Sequence, residues 1–579
     1  MFPETKIENI IWIYPKDDGN LVNSFIKEFH IHPVTAQVLV SRGFKKKTDV
    51  HRFLYAKLPQ LHSPSLLLDI DKATQRIHKA IKSKEKILIF GDNDVDGISG
   101  TTLLVDFLRT LGANVSFYIP NRSLHKNHIL LDAIDFASQE KSGLIITVDC
   151  GITASKEIEE VSKKNIDVII TDHHEPTDKI PHCVATLNPK LINSTYPNRD
   201  LTGVGVAFKL AHAMINYLVS KGEMQSDLID LKRYLDLVAL GTIADMGALT
   251  GENRILVKYG LQQLQKTQRI GLLKLIHVSE VNPEEIATID VASKVAPRLN
   301  SLGRIGDPRK GVELLLLRDM QEAESLAKEL DVMNKERQRI ERHDSEDIEK
   351  YLEKNSEIFN EKAIILDSDK WHSGIIPIIS ARIAKQYNRP TIIISREGNI
   401  GKGSLRTIPE YPILQSLKDN ADLLLNYGGH DYAAGLTIDI KNLPEFKRRF
   451  IEAANKKLKQ QDISPKLKID AKVSFKDLTF EFLESLTLLE PYGTENPQVI
   501  LYTIARQVLP PKVIGKKHLK LSLEESDRFL EGIGFNMEGH KGQLMRKNLQ
   551  LLIAFTPHVN VYLNKSSIQL QIRDFQIIE

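Results

Sequence analysis

The chain has almost no cysteine: Cys150 and Cys183 are the only two among 579 residues. Two thiols in so long a chain cannot build a disulfide framework, and they fit a reducing compartment. Apolar runs approaching the roughly 20 residues that cross a bilayer are also missing. The first residues carry acids and Pro3, where a secretory signal would be basic and then apolar. The expectation is a cytoplasmic protein without a membrane anchor. Net charge is small: 78 Lys and Arg against 75 Asp and Glu leave +3. Bulk electrostatics therefore do not announce a nucleic-acid partner. Any basic surface must be local, as at Lys45-Lys46-Lys47, Lys447-Arg448-Arg449 and Lys516-Lys517, and such runs are ordinarily solvated faces. Internal repeats and low-complexity tracts are absent.

What is present is an ordinary globular composition, 42% apolar and 26% charged. The length predicts about three or four domains. Residues 1–60 read as a mostly helical lead-in. A helix is predicted over Asp71–Ser83, with Ala73, Ile77, Ala80 and Ile81 on one face. Three short apolar runs then each end in acid: Lys86–Phe90 before Asp92, Leu144–Val148 before Asp149, and Val168–Thr171 before Asp172. Helical patterns around Thr101–Leu111 and Thr153–Lys164 separate them. Strands alternating with helices predict a parallel sheet over 61–318, with ligands beyond the carboxyl ends of its strands. Residues 319–355 read as one polar helix, roughly 50 Å long at 1.5 Å per residue, joining this domain to a second. That second α/β domain, 356–458, has strands at Ala363–Leu366 and Thr391–Ile394 and two Gly-rich loops, 401–406 and 428–430. Over 459–579 a half-buried alternation, Ile568, Leu570 and Ile572 against Gln569, Gln571 and Arg573, predicts a small β-barrel of about five strands.

The chemistry concentrates in Gly91-Asp92-Asn93-Asp94-Val95-Asp96-Gly97. Carboxylates packed this tightly repel one another and raise each other's pKa, and a divalent cation resolves the conflict. An EF-hand loop fails on inspection: its twelfth position needs Glu, and counting from Asp92 gives Leu103. Asp149, Asp172-His173-His174 and Asp245, which ends Leu240–Ala244, supply further donors at what the pattern makes the same sheet edge. Mixed carboxylate and imidazole ligands suit Mn²⁺, with Mg²⁺ where carboxylates dominate. Two such ions about 3.5–4 Å apart would activate water for attack on phosphorus.

The segments GDNDVDG, TVDCG, TDHH and GTIAD resemble the four motifs of the DHH phosphoesterase superfamily. Further segments extend the likeness: Ile119–Arg122, Asn188-Pro189-Lys190, Gly203-Val204-Gly205, Ala296–Asn300 with Gly303-Arg304, Trp371–Gly374, Gly403–Arg406 and Gly428-Gly429-His430. Together they resemble the RecJ family of 5′→3′ single-stranded-DNA exonucleases. The resemblance implies a DHH domain, a DHH-associated domain and a C-terminal OB-like barrel that binds nucleic acid. It implies Asp94, Asp96, Asp149, His173 and Asp245 as metal ligands, with Asp149 bridging. His174 would touch the substrate phosphate, while Asp92 and Asp172 stand behind the ligands and orient them. Arg122, Ser404 and Arg406 would hold a terminal 5′ phosphate. Arg298, Arg304, His372 and His430 would line the DNA path. It further implies two Mn²⁺ or Mg²⁺ ions, single-stranded DNA as partner, a single-strand-binding protein and a helicase as helpers, action as a monomer, and a place in DNA repair and recombination.

The chain departs from the family pattern at Asn93 and Val95, in the stretch from Ser123 to His128, and at Met246-Gly247-Ala248. His125 and His128 read as surface. In the barrel Lys516, Lys517, His518 and Lys520 form a basic segment, with Tyr502 and Phe535 as stacking candidates. Two other functions compete. One is a DHH-type hydrolase of short oligonucleotides, cyclic dinucleotides or pyrophosphate, which has no need of the barrel. The other is a non-catalytic DNA-binding scaffold, a path that ordinarily erodes ligands retained here.

Overall fold

The protein is described by a computed structural model covering residues 10–16, 18–121, 129–562 and 565–578. It forms two compact units that do not follow chain order. Thr48–Lys335 join Thr487–Gln498 in one; the segment up to Lys47 joins Glu336–Leu486 and the chain from Val499 onward in the other. The predicted lead-in is thus divided between them.

The first unit is built on a five-stranded sheet, parallel throughout. Its order is Asn114–Tyr118, Lys86–Gly91, Ser142–Val148, Asp167–Thr171, Ala185–Leu187. Strands covered on both faces read as unbroken apolar runs, and Ile87–Gly91 and Leu144–Val148 are buried at every position. Those runs are legible in the sequence. Asn114–Tyr118 and Ala185–Leu187 are not, being short and partly polar. The chain leaves Lys86–Gly91 toward one edge and returns to Ser142–Val148 on the other side. Strand order reverses between these two, and their carboxyl ends open a crevice at that point.

The helix Val95–Thr110 starts in this crevice. Asp94 is its N-cap, accepting from the backbone N–H of Asp96 at 3.0 Å and Gly97 at 3.1 Å. Every residue from Val95 to Leu108 is buried, because the sheet and the helices Gly203–Ser220 and Leu235–Ala244 pack around it. Beneath these helices lies a charged pair shielded from solvent. Lys209 Nζ is 2.6 Å from Glu252 Oε1, with side chains 0% and 1% exposed. Glu252 also accepts from Tyr196 Oη and the His62 backbone N–H, and Lys209 donates to the His62 carbonyl. The pair ties the 62–63 turn to two helices.

The second unit holds a mixed sheet, Leu424–Gly429, Ala433–Asp439, Ile400–Arg406, Thr391–Glu397, Ile364–Ser368, with one parallel pairing at the last step. The Gly-rich segments expected as loops are strands of this sheet. At Gly403 a Cβ would strike the neighbouring strand, 2.8 Å from Leu436, and at Gly429 it would lie 2.4 Å from the Ala433 carbonyl oxygen. The barrel closes with five long strands, Leu501–Ile514, His518–Glu525, Arg528–Gly534, Lys565–Ile578 and Leu549–Tyr562, the last pairing back onto the first. Leu521, Leu551, Phe555 and Leu570 fill it. The long helix runs Met320–Lys354, one residue inside the predicted bounds at each end, capped by Asp319. Among the described residues no helix is long and apolar enough to cross a membrane.

Removing one partner of a buried ion pair leaves an uncompensated charge. Lys209→Met is therefore expected to cost about 3–5 kcal/mol in denaturant unfolding. Adding Glu252→Leu should recover part of that loss. A single-variant loss below about 1 kcal/mol would show that the pair does not hold this region.

Candidate metal centre

The strand Lys86–Gly91 delivers Asp92 to the sheet edge, and the Asp92 N–H extends the ladder to the Val148 carbonyl at 3.1 Å. The next strand delivers Asp149, whose N–H donates to the Thr171 carbonyl at 2.9 Å. Asp149 has φ 62°, a left-handed conformation that a non-glycine residue adopts at a cost. That turn aims the carboxylate into the crevice. Gly203 makes room for it: a Cβ there would lie 2.6 Å from Asp149 Oδ1. Asp96 comes from the first turn of the buried helix and is held by a second helix. Its Oδ2 accepts from Gly203 N–H at 2.7 Å and its Oδ1 from Val204 N–H at 2.8 Å. These donors open the helix Gly203–Ser220, so the helix dipole also favours the charge.

His173 Nε2 lies at the centre, 3.0 Å from Asp149 Oδ1, 3.8 Å from Asp245 Oδ2 and 3.9 Å from Asp96 Oδ2. Asp245 does not arrive from a strand end, as the pattern predicts. It is the C-cap residue of the helix Leu235–Ala244. The run before it is buried because that helix is surrounded, which mimics a strand in sequence. Asp172 stands behind the histidines, accepting from Ile152 N–H, His173 N–H, His174 N–H and His174 Nδ1 at 2.7–3.0 Å. Asn188 Nδ2 donates to the His174 carbonyl at 2.9 Å, a tie with no sequence signal beyond the Asn-Pro-Lys segment.

The electrostatics are those of crowded anions. Burial, then the charges of Asp245 and Asp94, push Asp96 well above the usual carboxylate range. Burial, then Asp96, Asp94, Asp245 and Asp92, do the same to Asp149. Burial and Asp94 raise Asp245 to about 7, against the pull of His174 and Lys190. For His174 burial opposes the charge. The hydrogen bond and charge of Asp172, with Asp92 and Asp245, override it and raise the imidazole to about 9. Burial likewise works against Asp172, yet His174 and the N–H groups around it hold its carboxyl below the ordinary value.

Cation donors fall into overlapping sets, each with atoms within 4.8 Å of one another: Asp92, Asp94 and Asp149; Asp96, His173 and Asp245; Asp149, His173 and His174. Asp149 Oδ1 is buried without a hydrogen bond, the state of an atom shaped to bind a cation. The donor set fits two divalent ions meeting at Asp149. Asp92, expected behind the ligands, lies within reach of Asp94 and Asp149 in one of these sets.

The expected DNA-contacting residues separate. Arg298 is tied to Asp331 at 2.7 Å and to the carbonyls of Lys294 and Val278. Arg304 lies in the last turn of the same helix, Ala296–Ile305. Within the other unit, Ser404 and Arg406 share a strand, with Arg406 Nη1 3.4 Å from Ser404 Oγ. Burial lowers the Arg406 pKa. His372 is exposed, its Nδ1 accepting from Gly374 N–H at 3.1 Å. His430 is exposed in the turn between two strands. In the barrel, Tyr502 packs on Tyr14 with centroids 5.2 Å apart, while Phe535 is 48% exposed beside His518. Arg122, His125 and His128 lie outside the described residues.

The chain matches the sequence profile of the DHH family, N-terminal domain, over residues 86–242, that of the DHHA1 domain over 360–459, and that of the RecJ OB domain over 469–574. It is 34% identical over 575 residues to the single-stranded-DNA-specific exonuclease RecJ of Bacillus subtilis, covering 98% of this chain and 71% of that protein. Its structure resembles RecJ from Thermus thermophilus in complex with Mn²⁺, with a TM-score of 0.84 and 28% identity over 98% of this chain and 80% of the other. The Mg²⁺ complex of that protein matches with a TM-score of 0.77 and 26% identity, over 98% and 79%. The three domain matches and 34% identity over 98% of the chain and 71% of the relative make this chain a member of the RecJ family.

Proposed function

We propose that this protein is a metal-dependent exonuclease that degrades single-stranded DNA in the 5′→3′ direction, with two Mn²⁺ or Mg²⁺ ions, in DNA repair and recombination. The observation that carries the reading is the place of Asp149 in two donor sets, one with Asp92 and Asp94 and the other with His173 and His174, while His173 joins a third set with Asp96 and Asp245. The ions would supply a water of lowered pKa and neutralise charge on the phosphate. The protein's own groups do the rest. Asp94 and Asp96 are fixed by backbone N–H groups and keep their positions when the ions load. His174, protonated against Asp172, stabilises charge developing on a phosphate oxygen. Arg406 and Ser404 supply the donors for a 5′-terminal phosphate, with His372 and His430 along the strand, and the barrel holds single-stranded DNA. The enzyme works in the cytoplasm as a monomer, with a single-strand-binding protein and a helicase as helpers.

End-labelled single strands with Mn²⁺ should lose a 5′ label as the first product, and long strands should be degraded faster than dinucleotides. Release from the 3′ end alone, or equal rates at all lengths, would sink the proposal. Asp94→Asn keeps an oxygen for the N-cap and loses the charge. It should cut the rate more than about 100-fold, beyond the roughly 10–100-fold typical of residues behind the ligands, which Asp172→Asn should show. Equal losses would contradict the assignment.

Asp245 gives a prediction without catalysis. Its carboxyl is raised from the ordinary 3.8 to about 7, so between these pH values the folded metal-free protein holds a proton that the unfolded chain has released. Stability is full below the lower value and is lost as pH rises through the upper one. Metal-free Asp245→Asn should therefore melt higher than the parent at about pH 8 and alike at about pH 4. Identical melting at both pH values would remove the carboxylate conflict.

A further inference from the structure

The helix Leu235–Ala244, whose C-cap is Asp245, ends in a conformation that its own sequence makes costly. The Gly247 N–H donates to the Thr242 carbonyl at 3.0 Å and the Met246 N–H to the Ile243 carbonyl at 3.2 Å. This pair of bonds closes a helix through a left-handed residue, a position that glycine usually fills. Here the residue is Met246, with φ 58°. Among the described residues, every other non-glycine residue with positive φ is polar, and Met246 is the apolar exception. Burial does not offset the cost, because Met246 is 72% exposed. Nor is the loop free to relax: at Gly247 a Cβ would lie 2.5 Å from Thr202 Cγ2, so the backbone there is pressed onto the residue that precedes the helix Gly203–Ser220. The exposed side chain also stands at the mouth of the metal centre. Asp96 and Asp149 are sealed from solvent, whereas the side chains of Asp245 and His174 are 28% and 39% exposed. A phosphate therefore has a way to the cluster past these two. Met246 follows Asp245 directly, with its Cα about 3.8 Å away. A strained backbone that presents an uncovered apolar side chain beside a metal-centre acid points to function, since stability gains nothing from it.

We propose that Met246 packs against the unpaired base of a nucleotide adjoining the scissile phosphate, and so seats the strand over the metal centre. The proposal rests on the nuclease reading above and adds to it a contact with the base. The chemistry suits the task. A thioether is polarisable and packs favourably on an aromatic ring, and its unbranched chain adapts to rings of different size, so one methionine serves purines and pyrimidines alike. In a duplex the face of a base is already stacked on its neighbours, whereas a single strand leaves it open to a side chain. Met246 takes no part in bond breaking. Its contact is the same before and during the reaction, so it acts on KM and leaves kcat alone.

The test is steady-state digestion, by the full-length protein with Mn²⁺, of a 5′-phosphorylated single strand and of the same strand with an abasic sugar at its first or second nucleotide. The proteins compared are the parent, Met246→Leu and Met246→Gly. Glycine relieves the left-handed strain, so Met246→Gly should melt no lower than the parent, which checks its fold. On the intact strand its KM should rise about three- to tenfold at unchanged kcat, with Met246→Leu close to the parent. One of the abasic strands should raise the parent's KM by a similar factor and add nothing further in Met246→Gly, the non-additivity of two groups in contact. An unchanged KM in Met246→Gly, or an abasic penalty equal in all three proteins, would overturn the proposal. So would a loss confined to kcat, which would make Met246 a support for Asp245 and not a contact for the base. A parent that digests no single strand would remove the nuclease reading and this contact with it. A parent that digests the strand with a KM indifferent to Met246→Gly would remove the contact alone.

Discussion

Everything in the first unit answers to one conflict: several carboxylates are held close together out of water. Left alone, Asp96 and Asp149 favour the neutral form, and their raised pKa values record it. A protein gains nothing in stability from such an arrangement, so the surrounding fold must impose it. It does so with backbone. Asp96 is clamped by the first N–H groups of one helix, Asp94 caps another, and Asp149 is bent into a left-handed turn. Close approach of those helices needs glycine twice: Gly203 against Asp149, and Gly241, where a Cβ would lie 2.8 Å from Asp96 Oδ1. The positions are thus set before any cation arrives, which is what preorganisation for charge stabilisation requires.

The same logic explains why the helix Val95–Thr110 is buried along nearly its whole length. It carries Asp94 and Asp96, two of the proposed ligands, at its start, and a helix that moved would carry them with it. Packing on all sides fixes it. The buried Lys209–Glu252 pair does comparable work beneath the neighbouring helices, fixing a turn and two helices to each other.

Much of this is legible in the sequence. Strands buried on both faces write themselves as apolar runs, and an acid just past the end of such a run lies at the edge where ligands bind. That logic locates Asp92, Asp149 and Asp172, and the likeness to a known family sorts them. It fails where two structures share one pattern. A surrounded helix, Leu235–Ala244, reads like a strand, which puts Asp245 on the wrong carrier. Glycines that let strands pack closely read like glycines that make loops, which hides the strands Ile400–Arg406 and Leu424–Gly429. Alternating acids cannot tell which of Asp92, Asp94 and Asp96 faces a cation, because that depends on where strand gives way to helix. The union of the segment up to Lys47 with distant parts of the chain leaves no local trace at all.

The central claim is that two cations share Asp149. Anomalous diffraction from a crystal soaked in Mn²⁺ tests it most directly. The account predicts two peaks about 3.5–4 Å apart, one against Asp92 and Asp94, the other against Asp96, His173 and Asp245, with Asp149 between them. A single peak, or two that do not share Asp149, would contradict it.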